Sequence, residues 1–535
     1  MRKEQLLVSL LFDSSLCMRQ YEISLLYQHA LAEKYMRTDY ANTDDPEMIM
    51  KFQHAYNDAC SGQCSPEFIW MSLFNFFISA LGIFTYGSVI ASVSPLVLGL
   101  LFLSAFCTYL VSRWQRNYIE RNKDKWVNTD RKIQYLQSFS EKFDHAKDIR
   151  IYGMLGWLIA MLRRFQSERF EWTKKISARG LAGSCINALL TLIRDGAAYA
   201  VLIAMVLRGE IGAGDFVFYF GAITGFSAWL SGIGDKVNDI TGKSIRIGYY
   251  REYFDIEEKY NHGKGCALPT AEEIPVDIEL DNVSFRYPSE DGEKYAVRNV
   301  SLKIARGEKL AIVGANGAGK TTLVKLLCGL YYPSEGEVRL NGHAVSDYNI
   351  EDYYSLFSAV FQDIYLLPVT IAEFVSSSDA DIDVEKVKES IRRAGLEEKI
   401  NSLPKGIDSR LMKGVFDDSI DMSGGERQKL MLARALYKDA PVIVLDEPTA
   451  ALDPIAENAL YMEYNELTAD KTSVYISHRL ASTRFCNKIA FLKDGKITEE
   501  GTHEELLAKQ GDYCEMFTLQ SQYYQKGKRG EENEQ

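Results

Sequence analysis

Residues 68–112, 45 in all, contain no Asp, Glu, Lys or Arg. No soluble core needs an uncharged run of that length. It is enough for two crossings of a hydrocarbon layer ~30 Å thick at ~1.5 Å of helix rise per residue. The run divides at "ASVSP", a tight turn with Pro95 opening the second helix. This predicts membrane helices over about 68–90 and 95–112. Two further apolar segments, about 183–207 and 216–234, are also long enough to span.

Four crossings put both chain ends on one side. The long connection 113–182 is rich in Lys and Arg, whereas the short loops near 92–94 and 208–215 carry a single Arg between them. The positive-inside rule therefore places the long connection and both termini in the cytoplasm. Apolar residues recur at helical spacing along that connection, so it reads as two helices extending the membrane segments into the cytosol, with a turn near 151–156. The first 65 residues read the same way, with a break at "DYANTDDPEM". The opening "MRKEQLLVSLLFDSSLC" imitates a secretory signal, but its apolar run is short and lacks a good cleavage site, so it reads as retained.

Arg194 and Asp195 fall within the third apolar segment, where charge is expensive. Adjacent helical residues are ~100° apart, which predicts that the two do not pair with each other. The readings left open are a substrate contact in an inward cavity and an interhelical salt bridge.

The formal net charge of −12 over 535 residues disfavours nucleic acid as a partner. Nine scattered cysteines, among them a lone Cys60-x-x-x-Cys64, read as thiols rather than a disulfide frame or metal site. After residue 234 the helix continues to about 254. A polar Gly- and Pro-containing linker follows over 251–275. From about 276 to 522 short β-rich runs alternate with helices, as in a parallel α/β domain. The charged tail 523–535 reads as disordered.

Chemistry concentrates in this second half. Gly314, Gly317, Gly319, Lys320 and Thr321 fit G-x-x-x-x-G-K-[ST] between the buried strand "KLAIVG" and the helix "TTLVKLLCGL". The glycines let backbone N–H groups wrap phosphates, Lys320 supplies positive charge, and Thr321 would ligate Mg²⁺. "APVIVLDEP" is an apolar strand ending in Asp446, suited to holding the metal through water, and Glu447, suited to polarising an attacking water. Ser423-Gly424-Gly425 opens the helix "GGERQKLMLARAL" and makes a second anion-binding N-terminus.

The order of these motifs resembles that of ATP-binding cassette (ABC) transporters, specifically exporters with membrane and ATPase parts in one chain. The resemblance covers nearly the whole chain and is most specific over 276–520. It implies an α-helical transmembrane domain, residues 1–250, followed by an α/β P-loop NTPase domain. By that resemblance Tyr287 in "VSFRYP" stacks on adenine, and Asn316 and Thr322 join the nucleotide contacts. Gln362 in "VFQD" senses Mg²⁺ and takes part in catalysis. Asp453 lies in the loop that crosses to the partner, and His478 in "YISHRL" contacts the γ-phosphate.

"MSGGE" matches the family signature L-S-G-G-Q with Met422 and Glu426 substituted, which leaves the Ser-Gly-Gly contact intact. "DSRLMKGVFDDSID" leans toward bacterial peptide and lantibiotic exporters. The resemblance implies ATP and Mg²⁺ as ligands and a second half-transporter as partner, identical or not. It also implies membrane lipid around the spans, an unidentified exported substrate, and regions near 44–50 and 151–157 as coupling helices. A soluble-type ABC ATPase would lack the uncharged run, and an importer subunit would carry its ATPase on a separate chain. A non-transporting subunit stays open, because such exporter halves have six membrane helices and four are legible here. "LLVSLLFDSSLCMRQYEISLL" reads as the cytosolic end of a second helix whose predecessors are absent. A misassigned start, a truncation and a partner that supplies the helices all remain open.

Overall fold

The computed structural model describes residues 2–59, 68–141, 145–268, 277–287, 295–414, 416–446, 471–477 and 480–520. Cys60, Cys64, Glu447, Asp453, His478, the end of the linker and the tail lie outside the described residues. The chain forms two compact units, Met1–Leu31 with Gln53–Tyr253, and Ala32–Phe52 with Phe254–Gln535.

The first unit is helical. α1 (Arg2–Arg37), α2 (Tyr40–Asp44) and α3 (Pro46–His54) open the chain. α4 (Phe68–Val93) and α5 (Pro95–Glu141) follow, then a short α6 (Ala146–Ile151), α7 (Leu155–Leu207) and α8 (Ala213–Phe254). Among the described residues four helices, α4, α5, α7 and α8, are long and apolar enough to cross a membrane. Phe74, Phe77, Leu81 and Phe84 of α4 and Phe102, Leu103 and Phe106 of α5 are exposed, as expected of a lipid-facing surface.

Inside the bundle, small residues set the approach of the helices. A Cβ on Gly82 would meet the Trp229 indole at 2.8 Å, and one on Gly225 would meet the Tyr86 ring at 3.0 Å. α5 and α7 run antiparallel. Gln115 donates to the carbonyls of Arg179 and Gly180 at 3.2 and 3.3 Å, and Arg169 pairs with Asp130 at 2.8 Å. Between α6 and α7 the chain turns through Tyr152-Gly153-Met154, with Gly153 at φ +59°.

One expectation fails here. Arg194 Nε lies 2.8 Å from Asp195 Oδ1, so the two neighbours do pair. The helical angle separates their Cβ atoms, but the long arginine side chain curls back over its own helix and closes the gap. Ser227 of α8 reaches the same carboxylate oxygen at 3.5 Å.

The second unit holds two sheets. β1 (Ile278–Arg286), β2 (Tyr295–Ile304), β4 (Glu335–Leu340) and β5 (His343–Ala344) make an antiparallel sheet in the order β2-β1-β4-β5. β3 (Lys309–Gly314), β6 (Phe357–Val360), β7 (Val442–Asp446), β8 (Thr472–Ser477), β9 (Lys488–Lys493) and β10 (Lys496–Gly501) make the other, in the order β10-β9-β3-β8-β7-β6. Within it β6 to β9 run parallel to β3, and only β10 is antiparallel. Leu310, Ile312, Val444 and Val474 are fully buried, because helices cover both faces of a parallel sheet.

The helices of this unit are α9 (Lys320–Leu327), α10 (Ile350–Ser355), α11 (Ile371–Ser376), α12 (Val384–Arg393), α13 (Glu397–Asn401), α14 (Gly424–Lys438) and α15 (His503–Lys509). Residues 32–52 belong to this unit rather than to the helical one. Asp39 accepts from the backbone N–H of Lys259 at 2.7 Å, and Lys34 pairs with Glu258.

Candidate functional site

The site is built where the parallel strands end, the place at which open α/β sheets bind ligands. β3 ends at Gly314 and runs through the glycine loop into α9, which begins at Lys320. Gly319 is the N-cap of α9 at φ +100°, and a Cβ there would stand 2.3 Å from the Ala296 carbonyl oxygen. No other residue fits that turn. Lys320 is 6 % exposed, and its Nζ donates to the carbonyls of Gly314 and Ala315 at 3.0 and 3.1 Å, so the ammonium is held across the loop.

A cleft of about 430 Å³ opens on this loop. Asn316, Gly317, Gly319, Lys320, Thr321 and Thr322 line it together with Tyr287, Ala296 and Gln362. Tyr287, Asn316, Gly317, Gly319, Lys320, Thr321, Thr322 and Gln362, separate in the sequence, thus converge on one surface, whereas Gly314 and Asp446 are not among its lining residues. Tyr287 follows β1 directly, and its hydroxyl lies 2.9 Å from Thr322 Oγ1. Gln362 stands two residues beyond β6. Asp446 is 1 % exposed at the carboxyl end of β7. The oxygen donors of Thr321, Gln362 and Asp446 are hard ligands of the kind Mg²⁺ takes, so the residues present fit that ion. Among the described residues no cluster of three or more His, Cys, Asp or Glu side chains offers a site for a softer metal.

Ser423, Gly424 and Gly425 do not line this cleft. Ser423 caps α14 in a reciprocal box: its hydroxyl accepts from Glu426 N at 3.4 Å, and the Glu426 carboxylate accepts from Ser423 N at 2.8 Å. Glu426 also pairs with Lys399 at 3.0 Å. The bond from the Ser423 N–H, together with Lys399, holds the Glu426 carboxyl below its ordinary range despite partial burial. Met422 is buried in the core beneath α12 and α14.

Residues 297–450 match the protein family described as ABC transporter. The ATP-dependent lipid A-core flippase of Cupriavidus pinatubonensis is 36% identical over 415 residues, which cover 77% of this chain and 68% of that protein. The chain belongs to the ABC transporter family. The same-named flippases of Photobacterium profundum and Vibrio cholerae are 32% and 31% identical over 66% of this ABC transporter chain, which spans only 58% and 59% of their length. A solved structure titled "Structure of a bacterial Atm1-family ABC exporter with ATP bound" superposes with a TM-score of 0.77 over 96% of this chain and 88% of that one. At 21% identity it establishes the fold: a helical domain with apolar helices, then an ATPase domain. The sequence lean toward peptide or lantibiotic exporters finds no support among these relatives.

Sequence reasoning passed over two groups in this ABC transporter. Tyr331, just beyond α9, stacks on Phe285 with ring centroids 4.9 Å apart and meets Tyr287 edge-on at 5.7 Å. His262 lies between Asp39 and Glu351. The dense aromatic run "LYYP" was the available signal for the first. Nothing local marks the second, whose partners lie hundreds and tens of residues away.

Proposed function

We propose that this chain is one half of a dimeric, ATP-driven exporter in the cell membrane. The observation that carries the reading is the convergence of Tyr287, Lys320, Thr321 and Gln362 on one cleft, in a chain that also holds four apolar helices of spanning length. The buried Lys320 ammonium and the N–H groups at the start of α9 bind the triphosphate, and the Tyr287 ring stacks on the base. Asp446, Thr321 and Gln362 would hold Mg²⁺, which would neutralise charge on the phosphate oxygens. Glu447 orients and polarises the attacking water, and His478 contacts the terminal phosphate. Ser423, Gly424 and Gly425 present the N-terminus of α14 to the nucleotide of a second half, and Asp453 lies in the loop that crosses to it. With one glycine loop and one signature per chain, two chains complete two sites.

Closure of the two ATPase halves on ATP and reopening after hydrolysis would drive alternating access through the regions near 44–50 and 151–157. Ile151, Tyr152, Leu155 and Trp157 form an exposed apolar knuckle that suits docking on a second chain. Both termini and the ATPase face the cytoplasm. The curated relatives are named as flippases of lipid A-core, which favours an amphiphilic lipid as the cargo class. The test is ATPase activity of the chain in lipid bilayers. Stimulation by an added lipid, lost in Glu447→Gln, supports the reading. Hydrolysis that no lipid alters, or that survives Glu447→Gln, rejects it.

A further inference from the structure

Tyr331 occupies a junction that nothing in the hydrolytic chemistry requires. It follows α9 by four residues, and the chain turns there through Gly329 at φ +72°. Its ring is 2 % exposed. One face stacks on Phe285, with planes only 16° apart, and Tyr287 stands against it at 87°. Phe285 also meets Tyr287 edge-on at 5.1 Å. The Tyr287 ring is therefore fixed at two ends, by its hydroxyl on Thr322 and by the Phe285–Tyr331 pair at its edge.

The hydroxyl end of Tyr331 points elsewhere. It donates to the Asp44 carboxylate at the end of α2. Lys325 of α9 donates to the same phenol oxygen at 3.3 Å and to the Tyr40 hydroxyl at 3.4 Å, and the Tyr40 and Tyr331 rings lie 5.7 Å apart. Burial and the Asp44 carboxylate push the phenol far above its ordinary range, so it remains a donor at any physiological pH. One rigid side chain thus touches the base-stacking tyrosine at its ring and the N-terminal segment at its oxygen.

We infer that Tyr331 is a positioning residue that links stacking of the nucleotide base on Tyr287 to the seating of α2 through Asp44. The inference rests on the proposed role of Tyr287 in base stacking. Aromatic edge-to-face contacts lose their energy with small displacements, so the Tyr287 ring is held best when Tyr331 is held. Linkage is reciprocal: if a base on Tyr287 favours the Tyr331–Asp44 bond, breaking that bond weakens base binding by the same factor. Phosphate binding by the glycine loop does not pass through this relay.

The test uses the full chain in nanodiscs. Steady-state ATP kinetics are combined with equilibrium competition by inorganic tripolyphosphate, which has phosphates but no base. Tyr331→Phe keeps the three ring contacts and removes the hydroxyl. Asp44→Asn removes the charged acceptor and leaves the core ring intact. Each is expected to raise the KM for ATP about five- to tenfold, a coupling of ordinary size. Turnover at saturation and tripolyphosphate affinity should stay within about twofold, and the double variant should be no worse than either single one.

Unchanged KM in both variants overturns the relay. Equal weakening of tripolyphosphate overturns it too, since that result means a general loosening of α9. Additive effects in the double variant mean that the two residues act separately, and also count against it. Tyr287→Ala separates the underlying reading: it should weaken ATP and spare tripolyphosphate. If it does so while Tyr331→Phe and Asp44→Asn do nothing, the relay alone fails. If Tyr287→Ala leaves ATP binding unchanged, base stacking and the relay fail together.

Discussion

His262 Nε2 lies 2.9 Å from Oδ1 of Asp39, a carboxylate 1 % exposed and 223 residues earlier in the chain. The other ring nitrogen lies 2.8 Å from Glu351 Oε1. Flanked by two carboxylates, the imidazole holds its proton more firmly than a free one, and it fastens the segment after α1 to α10. Glu258 adds to the negative field, and Glu351 also accepts from the backbone N–H of Gly263 at 3.2 Å.

This clamp has a pH window. Burial opposes the charged ring, but the bonds to Asp39 and Glu351 outweigh it, so the folded pKa lies above the ordinary 6.5. The stabilisation is therefore whole below about 6.5 and fades as pH rises through the raised value. For Glu351 burial pushes upward, but bonds from His262 and backbone N–H groups prevail and hold it below 4.5. Its share is whole above about 4.5 and fades as pH falls through the lowered value. His262→Gln should cost about 1–2 kcal/mol at pH ~6 and progressively less as pH rises through the raised value. Thermal melts of the full chain across pH would show this, and a difference that stays flat with pH would refute the clamp.

Glu426 does more in this chain than stand in for a glutamine. Glu426→Ala removes the side-chain half of the cap on α14 and the partner of Lys399, and should lower stability by about 1 kcal/mol. Glu426→Gln keeps the box and should cost less than half of that. The Glu426 carboxyl is held below 4.5, so its contribution is present above that pH and lost as pH falls through the lowered value. Denaturant titrations at pH 7 and pH 3 measure both effects. Equal losses for Ala and Gln would mean that the box contributes nothing.

Gly319→Ala should damage the phosphate cleft more than it damages the fold. The added Cβ meets a backbone carbonyl at 2.3 Å in a left-handed conformation, so the loop itself must shift. Nucleotide affinity should fall by at least about tenfold, equivalent to ~1.4 kcal/mol. Equilibrium binding of a fluorescent ATP analogue reads this directly, and wild-type affinity would show that the loop tolerates the shift.

The knuckle at 151–157 should matter for coupling and not for binding. Trp157 is 58 % exposed beside Ile151 and Tyr152. Trp157→Glu should leave nucleotide affinity within about twofold, while lipid-stimulated ATPase falls about tenfold or more, as for loss of an aromatic anchor at an interface. Full stimulation in the variant would remove this segment from the coupling path.

Legibility in the sequence followed the range of the forces. The four long apolar helices needed only composition, since a hydrocarbon layer tests residues one by one. The cleft residues were legible because a strand, a glycine turn and a helix start are local events, and the parallel sheet brings the ends of β3 and β6 to one side. Arg194 and Asp195 were misread because helical geometry places Cβ atoms and says little about where a long guanidinium comes to rest.

What the sequence determined by itself is therefore the family, the membrane segments and the phosphate-binding loop, all of which are written in runs of fewer than about thirty residues. What only the tertiary structure decided is the allegiance of residues 32–52. The Asp39–His262 and Asp44–Tyr331 pairs join residues that no local pattern relates, and both sit on burial supplied by the aromatic core around Phe285 and Tyr260. A carboxylate bond of this kind forms where folding has already excluded water, and that exclusion belongs to the packed whole rather than to any stretch of chain.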